Sequence, residues 1–203
     1  MLIRPSAQRG VTLVEMIVVM AIAAMLVLAA APTFTGWIIN SRIRTTAEAM
    51  QSGLQLAKAE AVARNTRVRF QLTDTLDGSC AASVNGLNWV INLDPNANPD
   101  EVEGNCDSAP DDANAPFILQ TRPAAAGSGN TQIAATAATL VFNGLGRPVP
   151  VPAGNLTIAV TNPAGGTCTS VGGDVTCLNV VVTPAGQIRM CNPAFPATDP
   201  QGC

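Results

Sequence analysis

Residues 11–31 are apolar almost without interruption, and only Thr12 and Glu15 break the run. As a helix, these 21 residues rise about 1.5 Å each and span about 30 Å, the thickness of a bilayer core. Beyond Pro32 the apolar positions narrow to one face. Ile39, Ile43, Met50, Leu54, Ala57 and Ala61 recur at helical spacing, with Arg42, Arg44, Glu48, Gln51, Lys58 and Arg64 largely off that stripe. The spacing predicts one helix from Thr12 to Arg64, apolar all round in its first half and amphipathic in its second, with Asn65 as its stop.

From residue 66 the period shortens to two. Val68, Phe70 and Leu72 alternate with Arg67, Arg69 and Gln71, the pattern of a strand with one buried face. Further short runs between Gly-, Pro- and Asn-rich turns predict strands over 87–93, 117–120, 139–142, 155–160, 175–182 and 187–191. One long helix followed by several short strands implies an α+β fold, the helix laid on an antiparallel sheet. The organisation expected is a polar leader at 1–10, an apolar helix at 11–31, its amphipathic continuation at 32–65 and a β-rich domain at 66–203.

Composition changes this picture in three places. The chain has no His, which removes histidine bases, Ser–His and Cys–His nucleophiles and the commonest metal ligand. No cofactor and no enzymatic activity are expected. The six cysteines all lie outside the helix, and no two have the C-x-x-C spacing of a zinc or dithiol site. An even number among Gly- and Pro-rich loops implies disulfides and an oxidising compartment. Six cysteines allow about 15 pairings; proximity favours Cys168–Cys177 and Cys191–Cys203, leaving Cys80–Cys106. Net charge is only −3, so no overall attraction to nucleic acid follows. Acidic residues are concentrated between Asp94 and Asp112, and the Pro- and Asn-rich segment from Asp94 to Pro116 is expected to be a long exposed loop tied by Cys106. It lacks the D-x-D-x-D-G spacing of a calcium loop. Adjacent Asp111 and Asp112 resemble a carboxylate pair but lack the fixed geometry that acid–base work needs.

The apolar run could be a cleavable secretory signal ending at Ala29-Ala30-Ala31. Three features oppose that. The run exceeds the usual apolar length of such signals, Pro32 would follow the cut directly, and Glu15 places a carboxylate inside it. A charge at that depth is costly unless it finds a partner. A cut after Gly10 would create an amino group on Val11 one helical turn from Glu15, and a neighbouring chain could offer the same amine. Arg4 and Arg9 hold the leader on the cytoplasmic side, so the remainder is exported.

Arg9-Gly10-Val11-Thr12-Leu13-Val14-Glu15 resembles the processing motif of type IV prepilins. The resemblance implies that a prepilin peptidase cuts after Gly10 and methylates Val11. It also implies that Glu15 guides the subunit into a filament of other pilin subunits. The family usually has Phe where Val11 stands. Pro32 falls where many pilins kink the helix. The single-pass anchor would lie in the inner membrane, with the domain in the periplasm until assembly.

The stretch Gln55-Leu56-Ala57-Lys58-Ala59-Glu60-Ala61-Val62-Ala63-Arg64-Asn65-Thr66-Arg67-Val68 is similar to the L-A-R-S-E-A-I-x-R-N-x-x-V signature of FimT/GspH minor pilins and pseudopilins, with Lys58 for Arg and Ala59 for Ser. Phe142-Asn143-Gly144-Leu145-Gly146-Arg147 resembles that family's F-x-x-x-G-R turn. Val180 to Cys191 resembles its terminal strand, turn and G-R-x-R segment, which in some FimT-like proteins is implicated in binding DNA. Here Gly186 and Arg189 match, but Gln187 replaces the first Arg. The resemblance implies a structural subunit of a type IV pilus or a type II secretion pseudopilus. DNA capture through Arg147 and Arg189 is the alternative, weakened by one missing phosphate contact and by an aromatic content of 3%.

Overall fold

The computed structural model describes residues 11–94, 102–124 and 128–203, with only the backbone of 28–33. Its helix α1 runs from Leu13 to Arg64, within one residue of the expected start and at the expected end. The chain divides into two compact units, Met1–Ile38 and Ile39–Cys203.

In the first unit, Leu13, Val14, Ile17, Val18, Met20, Ile22, Met25 and Leu26 are all at least half exposed. Among the described residues no helix is long and apolar enough to cross a membrane. The apolar run continues into residues 28–33, whose side chains lie outside the described residues.

The second unit is α+β. The C-terminal half of α1 buries Ile43, Ala47, Met50, Leu54, Ala57 and Ala61 to 2% exposure or less. Those steps of three and four keep one stripe facing inward. The helix ends as Asn65 predicts. Asn65 takes a left-handed φ of 48°, and the Asn65 and Thr66 amides donate to the Val62 and Ala61 carbonyls. This is a Schellman closure, in which a short polar residue tolerates the left-handed turn.

Among the described residues eight strands follow rather than seven, and they form two four-stranded antiparallel sheets rather than one. The first has the order β3 (Ile118–Arg122), β2 (Asn88–Leu93), β1 (Val68–Thr73), β5 (Thr139–Phe142). The second has the order β4 (Gln132–Ala135), β6 (Leu156–Thr161), β7 (Leu178–Val182), β8 (Ile188–Cys191). The unexpected strand is β4, and the run expected at 175–182 pairs as a strand only from Leu178. Phe70, Trp89, Ile91 and Phe142 from one sheet and Ile133, Ile158, Val160, Val180 and Val182 from the other close on the helix stripe in one core. Each such side chain contributes about 1.5–3 kcal/mol when fully buried. Gly53 allows the closest approach. A Cβ there would lie 2.8 Å from both Phe70 and Trp89, whose rings pack 5.7 Å apart.

The alternation in β1 predicts a polar outer face, yet all six of its residues are buried. The cause is the segment expected to be an exposed acidic loop. Val102 within it is fully buried beside Val90, Ile118 and the Cys80–Cys106 disulfide, forming a second small core. Asp94 is only 4% exposed and forms ion pairs with Arg67 at 3.3 Å and Arg69 at 3.0 Å. A buried carboxylate needs such partners, and β2 supplies them by pairing antiparallel with β1 in the register Val68↔Leu93. The other disulfides are Cys168–Cys177 and Cys191–Cys203, so all three favoured pairings are present.

Candidate functional site

Two places carry the residues singled out by sequence, one in each unit. At the start of α1, Gly10 lies outside the described residues. Val11 is exposed. Thr12 caps the helix, its Oγ1 accepting from the Glu15 backbone N–H at 3.3 Å. The motif read for processing is therefore also a helix start, T-x-x-E, in which a hydroxyl satisfies an orphan N–H at the third helical position. That role of Thr12 was missed although the spacing carries it. Glu15 sits in the first turn, where the helix dipole favours a carboxylate. Its side chain is exposed, and its carboxylate has no hydrogen-bond or ion-pair partner among the described residues. Pro32 lies inside α1, which remains α-helical on both sides of it.

In the second unit, the two Gly/Arg turns share one construction. The Asn143 N–H donates to the Arg147 carbonyl, the Gly146 N–H donates to the Asn143 carbonyl, and Asn143 Oδ1 accepts from the Arg147 N–H. Thr183, Gly186 and Gln187 repeat all three bonds, with Thr183 Oγ1 accepting from the Gln187 N–H. Each is a turn closed by a glycine with positive φ, 70° at Gly146 and 81° at Gly186, a conformation that side chains resist. The turns are packed together. A Cβ on Gly186 would fall 2.1 Å from the Gly146 carbonyl oxygen.

Lys58 joins both turns to the helix. Its Nζ donates to the Gly186 carbonyl at 2.8 Å, and a Cβ on Gly146 would meet its Cε at 2.9 Å. Lys58 was placed off the buried stripe by its charge; instead its stem is half-buried and its ammonium closes a junction.

The shared construction puts Arg147 and Gln187 at equivalent positions, and both are exposed. The Arg147 guanidinium has no hydrogen-bond or ion-pair partner among the described residues. Arg189 is engaged internally, donating to the Gly202 carbonyl at 2.8 Å and the Cys203 carbonyl at 3.3 Å. The turns are neighbours, as a shared basic patch requires, but of the three relevant positions one is neutral and one holds the C-terminal loop.

The remaining candidates are occupied by structure. Asp112 forms an ion pair with Arg64 at 2.8 Å. Asp111 accepts from the Asn114 side-chain amide and the Ala113 N–H, which hold its carboxyl below the usual range. The two carboxylates thus serve different partners. A small apolar recess lined by Leu54, Phe70, Leu72, Leu140, Leu156 and Val182 among others has no ionisable residue in its lining.

Comparison with known proteins adds to this geometry. A family model described as type II transport protein GspH matches residues 46–186, the amphipathic helix through the second of the stacked turns. The chain belongs to the GspH family. A model of the prokaryotic N-terminal methylation motif matches residues 5–31, covering Gly10, Val11 and Glu15. The chain is thus a pilin-like member of the GspH family, and its own helix packs on antiparallel sheets. Two crystal structures of the type IV minor pilin FimU of Pseudomonas aeruginosa are similar to it at 18% identity. One covers 79% of this chain and 98% of its own with a TM-score of 0.46; the other covers 80% and 96% with a TM-score of 0.47. No curated protein matches.

Proposed function

We propose that this GspH-family chain is a non-catalytic minor pilin or pseudopilin, a structural subunit of a type IV pilus or a type II secretion pseudopilus. A prepilin peptidase cuts it after Gly10 and methylates Val11. Residues 11–31 then hold it in the inner membrane, with the disulfide-tied domain on the periplasmic side. Assembly moves the helix from lipid into a bundle of other pilin helices, and Pro32, lacking an amide proton, supplies a point where the helix can bend.

The observation that carries this reading is Glu15. It lies in the first turn of an apolar helix, exposed and with no side-chain partner among the described residues, inside the methylation-motif match. A carboxylate among apolar side chains is tolerated when a cation meets it, and the methylated amine of a neighbouring subunit is such a cation. Glu15→Ala should leave cleavage intact and abolish incorporation into sheared filaments. Normal incorporation of that variant would refute the role given to Glu15.

DNA capture is the lesser reading. Arg147 alone supports it, since Gln187 is neutral and the Arg189 guanidinium bonds two carbonyls. One phosphate contact gives weak, salt-sensitive binding. A gel-shift titration at low salt, with and without Arg147→Ala, tests it: a shift that the substitution removes would restore this function.

A further inference from the structure

The chain has two tryptophans, and they sit in opposite surroundings. Trp89 is 2% exposed and packs on Phe70 in the core. Trp37 is 65% exposed and pairs with Phe34, itself 61% exposed, with ring centroids 6.0 Å apart. The two residues are three positions apart in α1, so they lie on one helix face. A Cβ built on Gly36 beside them would meet nothing within 4 Å. Two large aromatic rings are thus held together and left bare.

Their position along the helix identifies what covers them. If residues 11–31 fill the bilayer core, Phe34 and Trp37 lie three and six residues beyond it, about 4.5 and 9 Å further along the axis. The headgroup layer on each side of a bilayer is roughly 5–8 Å thick, so Phe34 falls within it and the Trp37 backbone at its outer edge. Helical side chains tilt toward the helix N-terminus, which carries the Trp37 ring back into the layer. Tryptophan belongs in that layer, because its ring is apolar while its N–H needs an acceptor, which phosphate and ester oxygens supply. Phe34 completes an apolar surface facing the upper acyl chains.

We propose that, in the membrane-held form, the Phe34–Trp37 pair sits in the phospholipid headgroup layer at the exit of the helix and fixes the depth at which the subunit waits before assembly. This rests on the reading of residues 11–31 as the anchor. The occupant of the aromatic face is lipid, not a second copy of the chain.

The test uses the full chain in phosphatidylcholine vesicles whose acyl chains are brominated either close to the headgroup or close to the chain end, with tryptophan emission as the readout. Headgroup-proximal bromines should quench the wild type about twofold more than chain-end bromines, as expected for an interfacial ring. Quenching should be absent in Trp37→Phe, because the remaining Trp89 is enclosed by protein. It should also be independent of the protein-to-lipid ratio. Equal or stronger quenching by chain-end bromines, or equal quenching in Trp37→Phe, would overturn the placement. Quenching that rises on dilution in lipid would overturn it by making a second copy the occupant. Flotation separates the underlying reading: a chain that floats with vesicles yet shows no quenching overturns the placement alone, whereas a chain that does not float overturns the anchor as well.

Discussion

The two halves of α1 solve opposite problems with one backbone geometry. In residues 11–27 every described side chain is exposed, and nearly all are apolar. In residues 39–64 the apolar side chains form a stripe of six, from Ile43 to Ala61, buried to 2% or less. A stripe is completed by the chain's own sheets. An apolar surface all round is not, and its burial must come from lipid or from other helices. Periodicity therefore indicates which part of a helix stabilises its own domain and which part is left for something outside the domain to cover.

The strongest way to break this comparison is to truncate one residue in each half. Leu54→Ala should cost the domain roughly 2–5 kcal/mol, seen as a large drop in the urea midpoint of residues 39–203. Ile17→Ala in the full chain should leave the melting of the domain unchanged. Equal effects would mean that the halves are not energetically distinct.

A subtler contrast uses the helix glycines. Gly53→Ala would gain about 1 kcal/mol of helix propensity but forces a methyl against Phe70 and Trp89, a clash costing about 1–3 kcal/mol. The net expectation is destabilisation. Gly36→Ala meets no neighbour and should raise helicity by circular dichroism without lowering domain stability.

Smaller again is Lys58→Met, which keeps the stem and removes the bond to Gly186. It should cost about 1 kcal/mol in chemical denaturation, with no effect on processing at Gly10. Smallest is a pH effect at the rim of the domain. The Asp74 carboxyl is held below its ordinary range by the Ala81 and Thr75 N–H groups, and that of Asp77 by Ser79. A depressed folded-state pKa contributes stability above the ordinary carboxylate range of about pH 4 that is lost as pH falls below it. Thermal melts of wild type and Asp74→Asn should differ near neutrality and converge in acid.

The extent of the helix was legible, because its apolar spacing and its Asn65 stop are local; the Thr12 cap and the half-buried stem of Lys58 were not read. Strand β1 was legible from alternation and six more from short apolar runs between turns, whereas β4 was not: Gln-Ile-Ala-Ala offers a single large apolar residue. The outer face of β1 was misread for a different reason. Arg67, Arg69 and Gln71 look solvent-facing when a strand is read alone. Arg69 and Gln71 are buried and Arg67 is half-buried, because Asp94, 25 residues beyond Arg69, pairs with both arginines and Val102 packs on Val90, the cross-strand partner of Gln71. The hairpin register sets Arg67 beside Asp94, so pairing β1 with β2 on paper would have exposed the match. In the candidate site, the stacking of the two turns could not be read from either turn. The repeat of a polar residue three before a glycine, Asn143 with Gly146 and Thr183 with Gly186, was available in the sequence and went unused.

The N-terminus of the mature chain tests the central claim most directly. Mass spectrometry of protein purified from membranes should find Val11 as the first residue, carrying one N-methyl group. A chain beginning at Met1, one cut after Ala31, or one starting at an unmethylated Val11 would contradict it.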